Sequence, residues 1–307
     1  MPSLQAPTLG NTVGALLLGL VGATFLYGIT TLQAYWYYHR FARDSLLHKV
    51  SVGLLWALDT FHLALTIHAV YMYIVPGFGN LAGLLHIYWS IKVQVSINVV
   101  VVLIVQSLYA YRVWILGGYH RGLLGYFVTA VVAGGFAIGI ILAYQLFTVG
   151  SYPELDGISW AINASLATST AIDFVIAGAM CFYLRKSKGT YNASRLNSRI
   201  SRMMQYMLGS GLFTSACSLS AMFSYILLPD TFVFLAVQFI LTKLYVGSFF
   251  AMLNARERDD NAQGDIESSL GTPLRVQLHA SSVQSPGVPS PQSPNTPSGG
   301  VMKTYPW

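Results

Sequence analysis

Seven apolar blocks, each long enough to cross a bilayer as a helix, decide what this chain can become. A hydrocarbon core about 30 Å thick takes about 20 helical residues at about 1.5 Å each. The blocks run from Gly10 to Tyr38, Val50 to Ile74, Trp89 to Tyr111, Leu123 to Thr148, Ile158 to Leu184, Gln205 to Leu228 and Thr231 to Leu253. In lipid the backbone polar groups must bond one another. Continuous runs without period-two alternation do so as helices, not as barrel strands. The predicted fold is therefore all-α, a seven-transmembrane-helix bundle. Only 9% of the residues are charged and 54% are hydrophobic, against about 25% charged in an ordinary soluble domain.

Turn-forming residues separate the blocks: Pro76-Gly77 and Gly79-Asn80, Gly117-Gly118, Pro153 to Gly157, and Pro229-Asp230. Lys and Arg follow alternate blocks. Arg40, Arg43 and Lys49 come after the first, Arg112 and Arg121 after the third, Arg185 through Arg202 after the fifth, and Arg256 and Arg258 after the seventh. Positive residues near span ends stay in the cytoplasm, which predicts an amino terminus outside and a carboxyl terminus inside. The loop with Glu154 and Asp156 then lies outside. The first block lacks a basic leading region and is too long for a secretory signal, so it reads as a retained span. Of two glycosylation sequons, Asn192-Ala-Ser194 falls on the cytoplasmic side and Asn163-Ala-Ser165 sits close to the membrane.

The predicted organisation is a short extracellular segment over 1–9, the transmembrane domain over 10–253, and a cytoplasmic tail over 254–307. The tail is rich in Ser, Pro, Gln and Gly, cannot bury enough apolar surface to offset ordering entropy, and reads as disordered. Its Ser285, Ser290, Ser293 and Thr296, each followed by Pro, are candidate phosphorylation sites, as is Thr272. The net charge of +6 gathers in short loops, not on an aromatic-studded surface, so a nucleic-acid partner is not expected. Cys181 and Cys217 both lie in apolar blocks, which leaves no disulfide framework and no cysteine-based zinc site.

An ionisable side chain near mid-membrane costs about 2.5 to 3.5 kcal/mol on insertion scales and needs a partner or water. Asp59, Asp173 and Lys243 each fall roughly ten residues from a cytoplasmic end, about 15 Å along the helix. Sharing a depth, they point to one buried polar centre. Pairing of Lys243 with Asp59 is favoured over Asp173, because the seventh helix of a sequential bundle returns beside the first two. Such a pair either locks helix register or serves a ligand, proton or ion. His62 joins Asp59 at i+3, where the two can hydrogen-bond or share a proton. Thr66 and Tyr73 continue that face, with Trp56 nearby, while His68 points away. On the third helix Lys92 can snorkel to the headgroups, and Gln94 and Asn98 lie deeper. On the seventh, Gln238, Thr242 and Tyr245 share a face distinct from that of Lys243. Trp56, Thr66, Tyr73, Gln94, Asn98, Gln238, Thr242 and Tyr245 are the candidate pocket-lining residues. Gly135 and Gly139, or Gly209 and Gly211, permit close helix contacts.

The run Leu55-Trp56-Ala57-Leu58-Asp59-Thr60-Phe61-His62, with His68, Tyr71 and Tyr73 after it and Tyr27-Gly28 and Gln33 before, carries a resemblance. Trp89-Ser90, Tyr109 to Trp114 and Leu253-Asn254-Ala255-Arg256 add to it. Over about Pro7 to Arg258 the chain resembles a basidiomycete-type fungal family of seven-helix membrane proteins carrying domain of unknown function 6534. The resemblance implies a fold and a membrane location but no activity.

Function classes follow from these residues. Seven spans with an outside amino terminus and a basic stretch between helices five and six fit a receptor or sensor, although no acidic-Arg-Tyr or Asn-Pro-x-x-Tyr motif occurs. Small-solute or ion transport, or a channel, is the alternative, since buried charge marks ion paths. Lys243 with Asp59 formally meets the needs of a retinal Schiff base, but the third helix carries no acid. No nucleophile triad or metal cage converges, so catalytic residues, metal and cofactor are all expected to be none. The expected partners are the lipid bilayer, a small-molecule ligand or ion, and a cytoplasmic protein reached through Arg185–Arg202 and the tail, most naturally at the plasma membrane.

Overall fold

The computed structural model describes residues 10–77, 86–118, 124–190, 194–228 and 231–270. Seven long helices make up these residues: α1 Ala15–Arg40, α2 Leu46–Ile74, α3 Trp89–Gly118, α4 Leu124–Thr148, α5 Ser159–Thr190, α6 Ser194–Leu227 and α7 Val233–Leu270. A π turn, Gly10–Gly14, leads into α1, and a 3-10 turn, Tyr152–Ile158, joins α4 to α5. Among the described residues no strand forms beyond one bridge, His86 to Ser151. Six helices are long and apolar enough to cross a membrane, and α6 adds the shorter apolar stretch Gly211–Leu227. The chain is a multi-pass membrane protein folded as a seven-helix bundle.

Its exterior is apolar because lipid, not water, is the solvent there: Leu18 is 73% exposed and Phe25 70%. The interior divides into two packed clusters. One, toward the basic ends of the helices, holds Tyr37, Val105, Val113, Tyr183, Phe249 and Phe250. The other, toward the amino-terminal end of the chain, holds Leu16, Tyr73, Ile91, Leu146, Leu166 and Phe239.

Neighbouring helices pack in chain order from α1 to α6, and α3 also touches α5. Glycines bring α7 against α1. A Cβ on Gly19 would lie 2.7 Å from the Ala236 backbone, and one on Gly247 would lie 3.2 Å from Thr30 Cγ2. At the basic end Asn254 Nδ2 donates to the Gln33 carbonyl at 2.9 Å, fixing α7 to α1 again. At the opposite end Tyr73 donates to the His86 carbonyl at 2.8 Å and lies 3.2 Å from the Tyr152 hydroxyl. Those bonds hold the α3 entrance to the 3-10 turn.

Three local expectations change. Lys92 does not snorkel outward; its ammonium donates to the Val149 carbonyl just past α4. A cation there neutralises the negative end of the helix dipole. The basic stretch expected as a loop after the fifth span is largely helical, since α5 continues to Thr190 and α6 begins at Ser194. Lys and Arg are good helix formers and carry no β-branch to oppose the extension. Likewise α7 runs on as helix to Leu270, beyond Leu253 where the span was expected to end, through a polar stretch that contains no proline. The 1–9 segment, Gly79-Asn80, Asn192, Pro229-Asp230, Thr272 and the tail residues Ser285, Ser290, Ser293 and Thr296 lie outside the described residues.

Candidate functional site

Three polar groups surround α7, and its sequence explains why. Each helical step turns about 100°, so Lys243 and Tyr245 project to nearly opposite sides and Thr242 lies between them. Lys243 faces α1 and α2. Its ammonium donates to Asp59 Oδ1 at 2.6 Å and to the Asp59 carbonyl at 2.7 Å. Thr30 on α1 donates to Asp59 Oδ2 at 3.1 Å. Neither side chain of the ion pair is exposed. The Tyr27 ring lies 5.3 Å from the ammonium, within cation–π range.

Tyr245 faces α3, α5 and α6. Its hydroxyl donates to Asp173 Oδ2 at 2.6 Å. Thr214 donates to the same oxygen at 3.1 Å, and Gln106 Nε2 donates to Asp173 Oδ1, also at 3.1 Å. Asp173 therefore sits among three neutral donors, with no cation in contact among the described residues. The two carboxylates expected in one centre occupy separate ones, because the ammonium can reach only the carboxylate on its own side of α7.

Between them runs a chain of amides and hydroxyls. His62 Nε2 lies 3.1 Å from both Gln94 Nε2 and Thr242 Oγ1. Thr242 donates to Asn98 Oδ1 at 3.0 Å, and Asn98 Nδ2 donates to Gln238 Oε1 at 3.1 Å. His62 thus bonds across to α3 and α7, not to Asp59 as the i+3 spacing had allowed. Thr66 donates to the His62 carbonyl at 2.8 Å and is fully buried. Tyr73 belongs to the far end, with His86 and Tyr152.

Trp56 departs from the expectation: it is 39% exposed, and its indole donates to Thr31 at 3.3 Å. Three residues back from Asp59 turns about 60° one way and three forward to His62 turns about 60° the other, so Trp56 stands about 60° from Asp59 and about 120° from His62. Sequence reasoning also passed over Thr30, Gln106 and Thr214. Gln106 was findable, as the amide that ends the apolar run from Val99 to Val105, about two and three turns beyond Asn98 and Gln94 on the same helix. A threonine that folds its hydroxyl back on its own helix gives no such signal, and Thr30 and Thr214 both also donate to carbonyls three residues back.

Two cavities border this layer. One of about 90 Å³ lies between α3, α4, α5 and the start of α7, from Ile87 and Tyr152 at the amino-terminal end to Asn98, Gln106 and Gln238. The other, about 520 Å³, is a lateral crevice between α1, α6 and α7 bordered by Thr30, Gln33, Phe213, Lys243 and Gly247. Among the described residues no three His, Cys, Asp or Glu side chains converge as a metal cage.

No curated protein and no solved structure matches the chain. Residues 169–258 match the family described as Family of unknown function (DUF6534). That stretch contains Asp173, Thr214, Gln238, Thr242, Lys243 and Tyr245 but not the α2 run from Leu55 to His62, on which the resemblance seen in the sequence rested first. Over α5 to α7 the chain is similar to that family, whose description assigns no activity.

Proposed function

We propose that this membrane protein is a receptor or sensor of the plasma membrane, with its amino terminus outside, that binds a small molecule in the cavity between α3, α4, α5 and α7. It acts by binding, not by catalysis. The observation carrying this reading is the course of the cavity. It runs from Ile87 and the Tyr152 turn past Asn98 and Gln238 as far as Gln106 and Ile172, with Val105, Val113, Phe249 and Phe250 packed toward the basic ends. A closed floor suits a site that takes up a ligand without passing it on. The orientation rests on the positive-inside asymmetry, which puts the Tyr152 end of the cavity toward the outside and the Arg185–Arg202 stretch toward a cytoplasmic partner. We further propose that the likeness to the fungal seven-helix family extends beyond residues 169–258 to the whole bundle.

Transport is the second reading, favoured by the lateral crevice that borders Lys243 from the other side. Reconstitution into sealed vesicles separates the two. The receptor reading expects proton and monovalent-cation flux no greater than in empty vesicles. Flux above that level that disappears in Asp59→Asn would transfer the assignment to a transporter or channel.

A further inference from the structure

We infer that the α3/α4/α5/α7 cavity takes a small neutral molecule, mostly apolar, with one hydroxyl-like group that both donates and accepts a hydrogen bond. This rests on the receptor reading and specifies its ligand. None of the residues lining the cavity is Asp, Glu, Lys, Arg or His. The nearby charges are committed elsewhere: Lys243 and Asp59 to each other, and Asp173 behind Gln106. A charged ligand would lose its water without gaining a counter-ion, which is prohibitive for an ion in an apolar setting.

What the cavity offers instead is amides with one end committed. Gln106 directs its Nε2 to the Ser169 carbonyl and to Asp173, which leaves its carbonyl oxygen as an acceptor. Gln238 receives Asn98 on its carbonyl oxygen, and its amide nitrogen has no bond to any described residue. Ser165 and Thr168 add hydroxyls to the same wall. A donor and an acceptor are thus both available in one apolar space. The α4 wall is narrow because it is glycine: a Cβ on Gly135 would come within 2.4 Å of Ile172, and one on Gly139 within 2.7 Å of Val99. Size limits the ligand as well. The volume of about 90 Å³ is below the roughly 150 Å³ of a cavity that admits benzene, so the ligand is about that size or smaller.

The test is fluorine NMR of the full chain in nanodiscs with four matched probes close to that size: trifluoropropanol, trifluoropropane, trifluoropropylammonium and trifluoropropanoate. Empty nanodiscs give the signal from partition into lipid. The alcohol is expected to show saturable, protein-dependent binding that Ser165→Phe abolishes. Gln238→Leu or Thr168→Val should weaken it by roughly three- to tenfold, the loss of one hydrogen bond. Two independent variants guard against one failing to fold, and retained helicity by circular dichroism qualifies each. Binding of the ammonium or carboxylate probe as tightly as the alcohol overturns the ligand class and leaves the receptor reading standing. Equal binding of trifluoropropane does the same. Protein-dependent binding by none of the four overturns both.

Discussion

Asp59 and Asp173 are the same residue at closely similar depth in one bundle, and the bundle accommodates them by opposite means. Asp59 meets an ammonium at 2.6 Å, so its charge is compensated by a charge. Asp173 meets three neutral donors from α3, α6 and α7, so its charge is compensated by dipoles. The two devices fail differently. Removing one member of an ion pair leaves the other charge bare in a medium that cannot hydrate it, whereas removing an acceptor from a ring of hydroxyls and amides strands only neutral donors. The first arrangement is strong and specific about partner. The second is adjustable, since a hydroxyl rotates and an amide turns over.

The largest effect should come from breaking the ion pair. Asp59→Ala is expected to destabilise the bundle by about 3 to 5 kcal/mol, because Lys243 is left buried and unpaired. Unfolding in mixed micelles measures it, and near-normal stability would mean that the contact contributes nothing. Combining it with Lys243→Met should recover part of the loss, since the stranded charge is then gone. A double mutant whose cost equals the sum of the two singles would show no coupling between them.

This contrast also separates what the sequence displays from what it conceals. The number of helices and their blocks were legible because length and apolarity are one-dimensional properties, visible as runs from Gly10 to Leu253. That Asp59, Asp173 and Lys243 needed partners was legible for the same reason, as a charge in such a run stands out. Which partner each one takes was less so. Asp173 and Lys243 have similar depths, but depth says nothing about azimuth, and Asp173 is met by Tyr245, two residues along α7 and on its other side. Nor could spacing alone assign His62, whose neighbours Gln94 and Thr242 are 32 and 180 residues away in the chain. The helical ends at Thr190 and Leu270 escaped because polar sequence looks like loop when only apolarity is followed.

A gentler break applies to the second carboxylate. Asn in place of Asp173 keeps the shape and one acceptor. With its oxygen toward Tyr245 and Thr214, it presents an amide nitrogen to Gln106. Gln106 can turn its own amide over to accept, but it then gives up its bond to the Ser169 carbonyl. Asp173→Asn should therefore cost about 1 to 2 kcal/mol, close to one lost buried hydrogen bond. A loss as large as that of Asp59→Ala would mean that Asp173 depends on a compensating cation after all, and the contrast between the two centres would collapse.

The smallest change should come from Trp56, which shares the α2 run with Asp59 and His62 but not their face. Its ring is 39% exposed to the lipid side, and its indole reaches only Thr31, at 3.3 Å. Phe in its place keeps an aromatic surface against the same lipid and loses one long, peripheral hydrogen bond. The expected change is within about 0.5 kcal/mol, the range of substitutions away from buried polar networks. The probe affinities of the α3/α4/α5/α7 cavity should not move at all, since no contact links Trp56 to its lining. A Trp56→Phe variant that unfolds as readily as Asp59→Ala would place the indole inside the polar centre, with α2 rotated by about 60° from the position that pairs Asp59 with Lys243.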